Sequence, residues 1–73
     1  MARFFNKFSK HVAYQSEDGR IYTGDNNTYA GFQSNDGSGR IYDSMNRYAG
    51  FVDESSGFIY DDQNRFVGIK QDD

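Results

Sequence analysis

Along the chain, apolar and polar residues alternate over short runs that stop at clusters of Asp, Asn, Ser and Gly, and the same run returns four times. Alternation at period two marks a strand with one covered face, and two such runs around a tight turn read as a hairpin. Three copies match directly: Gly19–Gln33 (GRIYTGDNNTYAGFQ), Gly39–Val52 (GRIYDSMNRYAGFV) and Gly57–Lys70 (GFIYDDQNRFVGIK). Sliding the template back finds a fourth, Ala2–Gln15 (ARFFNKFSKHVAYQ), with Phe4 at the Ile place, Phe5 at the Tyr place, Val12 at the Val/Ala place and Ala13 at the Gly place. The joints Ser16-Glu17-Asp18, Ser34–Ser38 and Asp53–Ser56 are polar and turn-prone. The pattern predicts one all-β domain over residues 1–73, made of four β-hairpin repeats (2–15, 19–33, 39–52 and 57–70). Its eight short antiparallel strands are expected to be arranged with pseudo-four-fold symmetry.

Within a repeat the turn chemistry is specific. Asp43-Ser44-Met45-Asn46 and Asp61-Asp62-Gln63-Asn64 fit a type I turn followed by a left-handed residue, the three-residue hairpin connection. The second copy lengthens this to Thr23-Gly24-Asp25-Asn26-Asn27, and the first, Asn6-Lys7-Phe8-Ser9, puts Ser where Asn is expected, so its turn is expected to be the least regular. Uninterrupted alternation places Phe4, Ile21, Ile41 and Ile59, then Val12, Ala30, Ala49 and Val67, then Tyr14, Phe32, Phe51 and Ile69 on one buried face. The other face collects Phe5, Tyr22, Tyr42 and Tyr60 with His11, Tyr29, Tyr48 and Phe66, and with Ala13, Gly31, Gly50 and Gly68 between them. Mid-strand glycine needs a reason; the expected one is a neighbouring ring lying across the bare backbone. A lone hairpin is marginal in water, so four are expected to share their apolar face by radial closure.

The spaced motif G-[RF]-I-Y-[DT]…N-[RT]-[YF]-[AV]-G-[FI] resembles the repeat of the β-flower proteins, in which hairpins radiate like petals about a pseudo-rotational axis. Four copies correspond to the four-fold type, and the match covers almost the whole chain. The resemblance implies a fold; that family is largely uncharacterised and brings no functional residues with it. A more distant likeness is to choline-binding repeats, which also mix Tyr, Gly and hairpins. Those rely on Trp cages, and this chain has no Trp.

Composition narrows the chemistry. A chain of 73 residues buries only about 60% of the surface its unfolded form exposes. There is no Cys, so no disulfide, thiolate metal site or thiol chemistry is available. Packing must come largely from six Tyr and seven Phe. The net charge of −3 argues against nucleic acid. Charge is uneven, however: Arg3, Lys7 and Lys10 precede any acid, so the first hairpin is expected to lie against acidic neighbours, with a basic anchor for an anionic surface as the alternative. The opening residues form no apolar signal core and nothing approaches a membrane span. The chain is expected to be cytoplasmic unless a signal has been removed.

No catalytic constellation emerges. His11 is the sole His and falls in an aromatic column; Asp61-Asp62 lies in a turn, where Asp61 is expected to cap and Asp62 to face solvent. The segment Ser34–Ile41 resembles the middle of an EF-hand loop but has Ser34 at the first ligand place and Met45 at the closing Glu place. No enzyme activity, metal or cofactor is expected. Arg20, Arg40, Arg47 and Arg65 recur in register and are expected to pack against Asp and Tyr. The functional expectation is a non-enzymatic binding or interaction module using a Tyr-rich face, with Tyr22, Tyr42, Tyr60, Tyr29 and Tyr48 as contact residues and a protein partner or a second copy as occupant. The alternative is a small-ligand or glycan binder using the same rings.

Overall fold

The computed structural model describes residues 1–72. Eight strands follow one another: β1 (Ala2–Asn6), β2 (His11–Gln15), β3 (Arg20–Thr23), β4 (Tyr29–Gln33), β5 (Arg40–Asp43), β6 (Tyr48–Asp53), β7 (Phe58–Asp61) and β8 (Phe66–Asp72). Each pairs antiparallel with its neighbours in sequence, and β8 returns to β1 with Phe5 opposite Ile69, closing a barrel. Closure leaves no strand with an unpaired edge. The four expected hairpins are present. β8 runs past the expected end of its repeat because Gln71 and Asp72 pair with Arg3 and Ala2.

The turns follow the predicted chemistry, the first included. Asn46 and Asn64 adopt φ of 64°, Asn27 56° and Ser9 65°. Asp43 accepts hydrogen bonds at Oδ1 from the N–H groups of Met45 (2.9 Å) and Arg47 (3.0 Å), and Asp61 from those of Gln63 (2.8 Å) and Arg65 (2.9 Å). Asn6 does the same for Phe8 (2.9 Å) and Lys10 (3.0 Å), so the first turn is as regular as the others despite Ser9. A left-handed Ser carries strain that Asn or Gly relieves. Ser9→Asn is expected to stabilise the barrel by about 0.5–1 kcal/mol, read as a higher urea midpoint at unchanged slope.

The return strands face the other way from the uninterrupted alternation. In every hairpin the register slips by one residue between the Ile and Tyr places: Ile41 opposes Gly50, yet Tyr42 opposes Tyr48, which leaves Ala49 as a bulge. The same slip lies between Phe4 and Phe5, Ile21 and Tyr22, and Ile59 and Tyr60. One extra residue moves everything beyond it to the opposite face. The bulged column is therefore outside, where Val12 (42%) and Val67 (39%) are exposed, and Tyr14, Phe32, Phe51 and Ile69 follow it onto the outer wall. The glycines join the isoleucines inside.

What covers the glycines is backbone and not the expected ring. A Cβ on Gly31 falls 2.0 Å from the carbonyl oxygen of Tyr42, and one on Gly50 2.1 Å from that of Tyr60. Both residues also have φ near +150° (149° and 151°), a region that L side chains rarely adopt. At the β4–β5 and β6–β7 seams the hairpins thus approach one another more closely than two side-chain-bearing strands permit.

Three inward layers result. The turn end holds Asn6, Thr23, Asp43 and Asp61, each opposite a member of the Gly/Ala column. The middle alternates Phe4, Ile21, Ile41 and Ile59 with Ala13, Gly31, Gly50 and Gly68. The joint end holds Gln15, Gln33, Val52 and Lys70. Ala2, Phe4, Ile21 and Val52 are the buried apolar residues. Two of the three basic residues of the first hairpin do not meet acids as expected: among the described residues neither Lys7 nor Lys10 forms an ion pair, and Lys7 lies over the Phe8 ring at 5.6 Å.

Candidate functional site

Placing the return strands outward brings rings from adjacent hairpins together on the barrel wall. At the β2–β3 seam Tyr14 stacks on Tyr22 (5.5 Å, 22° between planes), and Tyr29 meets Tyr22 edge-on (5.9 Å, 66°). At the β4–β5 seam Phe32 stacks on Tyr42 (5.3 Å, 19°) and Tyr48 stands edge-on (6.1 Å, 71°). At β6–β7 the set is Phe51, Tyr60 and Phe66. Each of these three seams is therefore closed outside by a stacked cross-strand pair, and each central ring forms a near-perpendicular corner with its hairpin partner. The fourth seam has Ile69 opposite Phe5 instead, with His11 edge-on to Phe5 at 5.5 Å. His11 thus serves as an aromatic substitute, as its column predicts.

The five candidate residues share the outer wall but are divided among three corners. Tyr22 joins Tyr29, Tyr42 joins Tyr48, and Tyr60 joins Phe66, so there is no single Tyr-rich face. Nor do these rings cover the glycines, which lie on the opposite side of the sheet. Two corners are concave and extended by the Arg that begins the first strand. Arg20, Tyr22 and Tyr29 line a groove of about 430 Å³, and Arg40, Tyr42 and Tyr48 one of about 450 Å³. In the last repeat Phe58 replaces Arg and packs edge-on to Phe66 at 5.4 Å, which fills the equivalent space. Tyr14 donates its hydroxyl proton to Asn27 Oδ1 at 2.7 Å; among the described residues the hydroxyls of Tyr22, Tyr29, Tyr42 and Tyr48 have no such partner.

The arginines divide by partner. Arg47 bonds Asp43 at 3.1 Å and Arg65 bonds Asp61 at 3.0 Å, so the third and fourth hairpin turns each carry an ion pair, as expected. These carboxylates also take the turn N–H groups, chiefly those of Arg47 and Arg65, which hold both below the usual 3.8. Asp36, bonded by the Ser38 hydroxyl and N–H, is lowered to about 2. A carboxylate depressed by folding stabilises the fold above its unfolded value and loses that contribution as pH falls through the folded one. The thermal midpoint is therefore expected to be level down to about pH 4 and to drop between 3.8 and about 2, where Asp36 is protonated. Circular-dichroism melts across this range test the sign; a midpoint that rises on acidification contradicts it.

A second feature escaped the sequence pattern. At the joint end Gln15 and Lys70 both donate to Gln33 Oε1 at 3.0 Å, Gln33 donates to Glu54 Oε2 at 2.8 Å, and Lys70 approaches the same carboxylate at 3.6 Å. Gln15 is 8% exposed and the Lys70 side chain 11%. This network floors an open mouth of about 400 Å³ rimmed by Glu17, Asp18 and Glu54. The signal was the Gln15/Gln33/Val52/Lys70 column, which strict alternation assigns to the outside.

No family model, curated protein or solved structure matches this chain. Among the described residues no three His, Cys, Asp or Glu side chains gather as a metal would need, and no helix is long and apolar enough to cross a membrane.

Proposed function

We propose that this protein is a non-enzymatic binding module that works through the aromatic corners of its outer wall, and that the small-ligand form of this reading is the better one. The observation that carries it is the repeated groove: Arg, a half-buried Tyr fixed by stacking, and a second Tyr at about 70° with a free hydroxyl (71° at Tyr42–Tyr48). Two rings at a right angle offer a floor and a wall to a sugar ring, whose C–H face packs on the aromatic while its hydroxyls meet Arg and Tyr. The volumes fall within the range of small-molecule sites. Tyr48 is the ring to test, because it is 41% exposed and lies outside the stacked seam pair. Titration with a panel of neutral and acidic sugars is expected to shift the Tyr42 and Tyr48 ring resonances, and Tyr48→Ala to abolish that response with an unchanged circular-dichroism spectrum. A silent panel overturns the small-ligand form.

A protein partner or second copy is favoured by a different observation, the apolar strip Phe58 (41% exposed), Phe66 (40%) and Ile69 (36%) on β7 and β8. Its test is solution mass across a concentration series, where a strict monomer at millimolar protein removes self-association. The β-flower assignment belongs with these proposals; the repeat motif and the closed ring of four hairpins support it.

A further inference from the structure

The two wall grooves share their rings and differ in the state of their arginine. Asp18 stands two residues before Arg20 and places its carboxylate 3.6 Å from the Arg20 Nε. That carboxylate also accepts from the Arg20 N–H at 3.1 Å and from the Ser16 hydroxyl, so it is held at the groove's edge. At the equivalent place before Arg40 stands Ser38, which offers the Arg40 N–H only a hydroxyl oxygen at 3.3 Å. Among the described residues the Arg40 guanidinium has no carboxylate partner, whereas Arg20, Arg47 and Arg65 each have one.

Resting on the small-ligand reading above, we propose that the Arg40–Tyr42–Tyr48 groove selects a sugar bearing a carboxylate, a uronate, while the Arg20–Tyr22–Tyr29 groove takes neutral sugars without such preference. The guanidinium fork matches a carboxylate in two parallel hydrogen bonds, and hydrogen bonds between charged partners are about twice as strong as neutral ones. At the first groove the same ligand meets an arginine that already faces a carboxylate 3.6 Å from its Nε, and that charge repels a second carboxylate. The protein's net charge of −3 opposes an anion only weakly at physiological salt, where exposed charges are screened beyond about 8 Å. The selection is therefore local, and it is set by Asp18 against Ser38.

The experiment is a titration of the full chain with glucuronate, glucose and acetate at physiological ionic strength, followed on the ring resonances of the four groove tyrosines. Glucuronate is expected to bind at Tyr42 and Tyr48 about tenfold more tightly than glucose, with the two sugars nearly equal at Tyr22 and Tyr29. Arg40→Gln is expected to abolish the preference at the second groove, so that glucuronate binds there no more tightly than glucose, whose own affinity falls by less because it loses hydroxyl contacts and no charge pair. Asp18→Ser, which copies the second groove's edge onto the first, is expected to raise glucuronate binding at Tyr22 and Tyr29 about tenfold. Equal binding of both sugars at Tyr42 and Tyr48, an Arg40→Gln variant that still prefers glucuronate, or acetate matching glucuronate each overturns the proposal. If no sugar moves any tyrosine, it is the small-ligand reading itself that fails, and the proposal falls with it.

Discussion

Gly50→Ala is expected to remove a large part of the domain's stability and to raise its unfolded fraction at room temperature. The added Cβ meets the Tyr60 carbonyl oxygen at 2.1 Å and the Asp61 Cα at 3.0 Å, and both obstacles are backbone held in the β6–β7 ladder. A φ of 151° adds strain of its own. Nothing flexible can give way, so either the seam opens or β6 loses its register. We expect a loss of about 3 kcal/mol or more. A folded domain of this length holds roughly 4–11 kcal/mol, and a small core sits toward the lower end. Far-UV circular dichroism and amide dispersion report the result, and a Gly50→Ala chain with the original urea midpoint contradicts the close approach. Ala13→Gly supplies the comparison: in the first repeat the same column already carries a Cβ, and removing it is expected to change stability by less than about 1 kcal/mol.

Gln33→Leu carries the next largest expected effect. Its Oε1 is the shared acceptor of Gln15 and Lys70, and its Nε2 serves Glu54. Losing the acceptor leaves the nearly buried Lys70 ammonium with only its longer contacts to Glu54 (3.6 Å) and Asp72 (3.9 Å), and the Gln15 amide with only the Gly19 carbonyl (3.3 Å), so a destabilisation of about 2 kcal/mol is expected in urea. Val52 holds the equivalent place in the third repeat at 2% exposure, which indicates that the layer accepts apolar side chains when no polar partner is left behind. The triple variant Gln15→Leu, Gln33→Leu, Lys70→Met is accordingly expected to return to within about 1 kcal/mol of the original. Recovery identifies stranded polar groups as the cause; no recovery identifies lost packing.

The hairpins and their turns were legible because local chemistry decides them. Asp at the first turn place and a left-handed Asn at the last specify the connection wherever they occur, and column character was enough to place Ser9 in the same role. The first strands were also read with the right face, since Phe4 and Ile21 are indeed buried. The return strands were not, because Ala49 and its equivalents look like ordinary members of an alternating run. A bulge has no residue signature of its own here: Val12, Ala30, Ala49 and Val67 are all apolar, so the run reads as continuous. The error spread to the site. It put the five tyrosines on the glycine face, hid the Gln33 network, and obscured the division of the rings into corners by seam. The glycines marked the close approach correctly, but the nature of the neighbour, a carbonyl oxygen, depends on how tightly the ring of hairpins closes.

Because β8 lies beside β1 along its length, with Ala2 opposite Asp72, the order of hairpins in the polypeptide is separable from their order around the ring. A short linker from Asp72 to Ala2, with the chain cut in the Ser34–Ser38 joint, is a circular permutant that begins at β5 and encloses the same interior. In the native order every ladder but one joins neighbours in sequence, so the β8–β1 seam alone pays the entropy of closing a loop nearly as long as the chain. The permutant transfers that burden to the β4–β5 seam, where Phe32 stacks on Tyr42. The two molecules should reach the same fold by zippering in different directions, with the aliphatic seam of Ile69 and Phe5 completed last in one and the stacked aromatic seam last in the other.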